Sequence, residues 1–152
     1  MNIIHKLANE FNLVRMKFYK SDTCEACYVA DRLELRYDQN VQTEDFRKGL
    51  LIALKFAKDH QIKLWLFDLR SIGRLSEEEE TWLQVQLFPQ IMMYLGTGNH
   101  VALVVDERCY NDMIQESGLL GLKSYNSFII INTFCDLQHA IQWLDQRQSE
   151  CA

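Results

Sequence analysis

Ile62-Lys-Leu-Trp-Leu-Phe-Asp-Leu-Arg70, followed closely by Ser76-Glu-Glu-Glu-Glu-Thr-Trp-Leu83, decides how this chain is read. The first stretch is a short, nearly unbroken apolar run ending in Asp68 and Arg70. A strand covered on both faces has this pattern, because no solvent side remains for polar residues to mark by alternation. The second stretch is a helix start. Ser76 is placed to cap it, and Glu79 follows at the spacing of a capping box. Glu77 to Glu80 put negative charge at the positive end of the helix dipole. A buried strand, a short turn and a signalled helix therefore form the centre of the molecule.

The rest of the chain extends that unit. Leu13 to Tyr19 alternates polar and apolar residues, as a half-buried strand does, and Cys27 to Tyr37 alternates again. Lys20 to Thr23 between them is turn chemistry, so the two are expected to form an antiparallel hairpin. Residues 2–11 read as an amphipathic lead-in. Thr43 is expected to cap a helix whose stripe of Phe46, Leu50, Leu54 and Ala57 recurs at helical spacing, ending near His60. The Ser76 helix carries Pro89 in its interior, which predicts a kink or a split. Gly96 and Gly98 end it. His100 to Asp106 and Phe128 to Thr133 are further apolar strand runs. A short helix is expected over Cys109 to Glu116, and a last one from Asp136, with Gln146 onward as a frayed tail. Alternating strands and helices after a leading hairpin predict an α/β fold. Its mixed β-sheet is antiparallel at the start and parallel later, with about four helices.

Composition narrows the function classes. The chain has 152 residues, enough for one domain, read here as residues 1–152 with a core over about 12–145. The formal charge is −5 and the basic residues are scattered, which argues against a nucleic-acid partner. No apolar stretch approaches the roughly 20 residues that cross a bilayer, so no membrane insertion is expected. The first residues lack the apolar core and cleavage site of a signal peptide, and the expected location is cytoplasmic. Five cysteines, an odd number, point to reduced thiols rather than a disulfide framework.

Few residues suggest chemistry. Cys24-Glu-Ala-Cys27 has the spacing of a redox or metal pair, but it falls between two expected strands rather than at a helix start, and no second ligand pair completes a zinc site. His5, His60, His100 and His139 lie in no catalytic or metal-binding frame. No catalytic residue, metal or cofactor is assigned, and the protein is not expected to be an enzyme. Asp68, Arg70, Asp106 and Glu107 are better candidates. They lie at or beyond the C-terminal ends of expected parallel strands, where open α/β sheets bind ligands. Their plainer reading is structural, as turn caps and a solvated ion pair. The helix from Trp82 to Tyr94 is rich in large apolar groups, with core packing as the plain reading and a groove or interface as the alternative.

The leading hairpin, the segment Glu44-Asp-Phe-Arg-Lys-Gly-Leu-Leu-Ile-Ala-Leu54, the strand Trp65-Leu-Phe-Asp-Leu-Arg70, the Ser76 helix through Leu-Phe-Pro89 and the strand Val101-Ala-Leu-Val-Val-Asp106 together resemble the SpoIIAA-like fold. They resemble more closely the bacterial STAS-domain-like proteins that share this fold with CRAL-TRIO lipid-binding domains. The resemblance implies a mixed sheet with helices packed against it. In STAS-type anti-sigma-factor antagonists an Asp-Leu-Ser-like strand end precedes an Asp-Ser pair at the next helix start, and that serine is phosphorylated by a partner kinase. Asp68-Leu69 resembles the first motif. Glu77 falls at the phosphoacceptor position and Ser76 one residue before it, a departure from the pattern. A fixed carboxylate carries less charge and fewer acceptors than a phosphate. Three functions follow as expectations. The first is a regulatory module for an unidentified protein partner, docking at Asp68, Arg70, Ser76, Glu77, Trp82 or Asp106, with a homodimer plausible. The second is a carrier or sensor of a small apolar ligand, held in a pocket beneath Trp82 and Phe88. The third is a thiol enzyme using Cys24 and Cys27.

Overall fold

The computed structural model describes residues 15–118, 123–125 and 127–151. The lead-in expected over residues 2–11, with Leu13 and Val14 of the first strand run, lies outside the described residues. Among the described residues the strands are β1 (Met16–Lys20), β2 (Cys24–Val29), β3 (Arg32–Tyr37), β4 (Leu64–Asp68), β5 (Asn99–Val104), β6 (Lys123–Tyr125) and β7 (Ile129–Phe134). The helices are α1 (Thr43–His60), α2 (Glu77–Trp82), α3 (Phe88–Leu95), α4 (Glu107–Ser117) and α5 (Leu137–Cys151). A wide π-helical turn over Leu83–Leu87 joins α2 to α3.

The strands form one sheet in the order β1-β2-β3-β4-β5-β7-β6. β1, β2 and β3 pair antiparallel, then β3, β4, β5 and β7 run parallel, and β6 returns antiparallel on β7. The fold is thus the expected α/β arrangement with a mixed sheet. Two strands were not expected. The segment 27–37 is two strands, not one, because Ala30 and Asp31 turn the chain with φ of 48° and 63°. Both central residues at positive φ make a type I′ hairpin turn, whose twist matches that of the strands. Its usual signal is Asn-Gly. Ala-Asp carries no such mark, and Tyr28 Oη donates to Asp31 Oδ1 at 2.6 Å across the turn. The other added strand is β6, only three residues long.

Alternation divides the side chains between two faces. Leu33, Leu35, Trp65, Phe67 and Val101 point to one face and are fully buried beneath α1, α3 and their connections. Leu64, Leu66, Ala102 and Val104 point to the other and pack against Ala140 and Leu144 of α5. A bulge between Lys17 and Tyr19 lets the consecutive Phe18 and Tyr19 both reach the α1 side. Phe18 stacks on Phe56 with ring centroids 4.2 Å apart. Tyr19 Oη donates to Asp45 at 2.9 Å, and Ser21 and Thr23 hydroxyls donate to the same carboxylate. Asp45 thus ties the β1–β2 turn to the first turn of α1.

Local helix signals are mostly obeyed. Ser76 caps α2, its Oγ accepting the Glu79 N–H at 3.2 Å. The reciprocal half of the capping box is missing, since the Glu79 carboxylate makes no hydrogen bond among the described residues. Thr43 is not the cap of α1. Gln42 takes that position, without a side-chain bond. The Pro89 split is observed. Phe88 N–H reaches back to Leu83 O, one residue further than in an α-helix, and Pro89 then sits in the first turn of α3, where its missing donor costs nothing. The last helix continues to Cys151, beyond the tail expected from Gln146.

Gly49 is where α1 lies closest to the sheet. A β-carbon there would stand 2.5 Å from Cys24 Sγ. Replacing a helical glycine by alanine normally favours the helix by up to about 1 kcal/mol. Here overpacking, at about 1 to 3 kcal/mol, outweighs that gain. Gly49→Ala is therefore expected to lower the unfolding free energy measured in urea. In a Cys24→Ala background the penalty should disappear.

Candidate functional site

The residues singled out in the sequence do not converge on one place. Asp68 ends β4 on the α5 face. It accepts from Arg70 Nε at 2.9 Å, Arg70 Nη2 at 2.8 Å and Arg70 N–H at 3.2 Å. Burial pushes its carboxyl up, and the hydrogen bonds from Arg70 outweigh that and hold it below the usual aspartate value. Ser76 is a helix cap. Asp106 is another, accepting the Cys109 N–H at 2.7 Å. Trp82 leans edge-on against Phe46 with the Arg47 guanidinium 5.4 Å from its ring centre. Trp82, Arg47, Glu77 and Glu78 border a shallow open groove of about 470 Å³. Beside them Glu79 is buried, with Arg47 Nε 3.8 Å from its carboxylate.

Cys24 and Cys27 are both strand residues three positions apart, so they face opposite sides of the sheet. Cys24 packs against α1, where burial pushes its thiol up to about 12. Cys27 lies on the other face with Glu25 and Glu34, and burial raises its thiol too. Three strand steps separate their α-carbons by about 10 Å, beyond the roughly 7 Å that a disulfide spans. The pair is not a dithiol site in this fold. Around Cys27 this face of the sheet is charged, with Arg32 and Glu34 buried near the buried thiol, and its charges satisfy one another. Arg15 and Arg32 pair with Glu34, Lys17 with Glu25, and Arg36 and Arg70 with Asp68.

No protein-family model matches the chain, and no curated protein matches it. The site is therefore read from its own geometry. Among the described residues no helix is long and apolar enough to cross a membrane.

The feature that stands out is a cavity of about 620 Å³ between β5 and β7 on one side and α2, α3 and α4 on the other. Leu103 and Ile131 form its floor. They are central in the sheet yet only half-buried, whereas the adjacent Phe67 and Val101 are fully buried. The cause is α4, which buries only Cys109 and leaves Met113 half-exposed towards the space. Leu69 and Val105, just beyond the ends of β4 and β5, also line it. Phe88 and Met92 come from α3. The wide turn before Phe88 sets their direction. Trp82 is not in the lining, so the expected pocket lies beneath Phe88 but not beneath Trp82.

At the rim Arg74, from the β4–α2 connection, meets Glu116 in the last turn of α4. Nη1 donates to Oε1 at 2.6 Å and Nη2 to Oε2 at 2.7 Å. Glu116 stands at the negative end of its helix, which opposes a carboxylate, and Arg74 supplies the compensating cation. The hydrogen bonds from Arg74 hold the Glu116 carboxyl low. None of these rim residues was legible in the sequence, because Arg74 is an ordinary loop arginine and Glu116 an ordinary helix acid. Leu103 and Ile131 were legible as strand residues, though not as cavity floor.

The Asp68–Arg70 contact gives a signed pH dependence. A lowered carboxyl value means the stabilisation is complete above the unfolded value, near pH 4, and fades as pH falls through the folded one. Asp68→Asn should cost about 1 to 2 kcal/mol at pH 7, as loss of hydrogen bonds to a charged group does. Chemical unfolding of both proteins at pH 7 and pH 3 should show the gap narrowing in acid.

Proposed function

We propose that this protein is a non-enzymatic binding module that holds a small apolar ligand in the cavity between the sheet and α4. The supporting observation is the cavity floor, where Leu103 is the one half-exposed residue of an otherwise buried β5 and the half-exposed Ile131 of β7 lies beside it. The cavity falls in the size range of ligand pockets, about 300 to 1,000 Å³, and its lining combines apolar side chains with polar groups from Arg74, Glu80, Gln84, Glu116, Ser117 and Thr133. The element order supports placing the chain with the SpoIIAA-like, STAS-like proteins, and the odd cysteine count supports a cytoplasmic setting. A sensor follows naturally from a carrier here, because α4 is the wall with fewest buried contacts and filling the space would order it.

A regulatory docking role at the start of α2 is the second reading. The groove beside Trp82 favours it, as do Val85 and Met93, which are 60% and 68% exposed on the outer side of the broken helix. A protein partner or a second copy of the chain would cover them. The two readings separate cleanly. Charge reversal at Glu77 and Glu78 should leave the cavity unaffected.

An uncharged fluorescent probe, N-phenyl-1-naphthylamine, tests the first reading. It should bind one per chain with enhanced emission. Ile131→Trp should fill the floor and abolish that binding while the circular dichroism stays native, and the Glu77/Glu78 reversal should not change it. Absence of binding to the unmodified protein would remove the carrier reading.

A further inference from the structure

We propose that the ligand of this cavity carries a cationic head group, as a long-chain amine does, rather than a carboxylate. The inference rests on reading the cavity as a binding site. Among the described residues three charged side chains line it: Arg74, Glu80 and Glu116. The only cation of the three is already committed, since both terminal nitrogens of Arg74 are bound by both oxygens of Glu116. The Glu80 side chain is half-buried and makes no hydrogen bond or ion pair within the described residues, although its charge adds to the field on Arg74. Ser117, at the C-terminal end of α4, also lines the space, so the negative end of that helix dipole faces it.

A ligand carboxylate would have to draw Arg74 away from Glu116 and would then sit beside two carboxylates and a helix C-terminus. An ammonium group meets the opposite situation. Glu80 offers it a carboxylate that no side chain among the described residues hydrogen-bonds, and the Arg74–Glu116 pair stays intact. Its alkyl chain would run inward over Leu103 and Ile131, between Phe88 and Met113. Cys109 at the wall stays a neutral thiol, pushed up by burial and by Asp106, and adds no charge to the interior.

The test uses the full chain and displacement of bound N-phenyl-1-naphthylamine at pH 7. The competitors are decylamine, decanol and decanoate, each kept below its micelle concentration. Decylamine should compete at about fivefold lower concentration than decanoate, the size expected of one partly exposed ion pair, with decanol between them. Glu80→Gln should remove most of that margin while the uncharged probe binds as before, which also reports that the variant is folded. Decanoate competing as well as decylamine, or a margin that survives Glu80→Gln, overturns the charge assignment and leaves the cavity standing. Failure of the uncharged probe to bind at all overturns the binding reading and this inference with it.

Discussion

The parallel pairing of β4 with strands on both its edges is the constraint from which the rest of the fold follows. β4 is bonded to β3 on one side and β5 on the other, so neither edge is free and both faces must be covered. Its sequence meets that demand with Trp65 and Phe67 towards α1 and α3, and Leu64 and Leu66 towards α5. Parallel neighbours also require crossovers, which α1 and the α2–α3 unit provide. The helices are therefore present because the strand cannot be left bare.

Coverage is uneven, and that unevenness produces the surfaces of interest. Among the described residues one helix, α5, packs on its face over β4, β5 and β7, and beside it β1 to β3 turn a charged patch to the same side, with Arg32 and Glu34 buried in it. The sequence places Lys17, Glu25, Arg32, Glu34 and Arg36 there, and Lys17 pairs with Glu25, Arg32 with Glu34 and Arg36 with Asp68. On the opposite face the middle of the sheet is sealed by α1 and α3, while the β5–β7 end lies under a helix of mostly polar composition. Glu107–Ser117 has too few apolar groups to close onto Leu103 and Ile131. An internal space results from a helix that is amphipathic but thinly so.

The physical origin of each signal explains what could be read from the chain. Ile62 to Arg70 could be read because burial on two faces suppresses polar alternation. The break at Pro89 could be read because a missing donor has one structural consequence. The Ala30-Asp31 turn could not, since positive φ at an alanine is imposed by strand pairing on both sides rather than by the residue. Trp82 lies outside the lining of the cavity for a related reason. The wide turn rotates the helix by a fraction of a turn between Trp82 and Phe88, and periodicity alone carries no record of that rotation. Arg74 and Glu116 come together from positions 42 apart in the chain, a distance at which no local pattern exists.

The strand placement of Cys24 and Cys27 has one further consequence. A spacing that elsewhere makes a cysteine pair sensitive to oxidants is here divided by the thickness of a sheet. One sulfur is sealed against a helix, and the other lies beside carboxylates. For these two residues to be joined, β2 would have to leave its place between β1 and β3. An oxidising environment therefore finds no shortcut through this motif, and the native state tolerates a shift in redox surroundings there without changing shape.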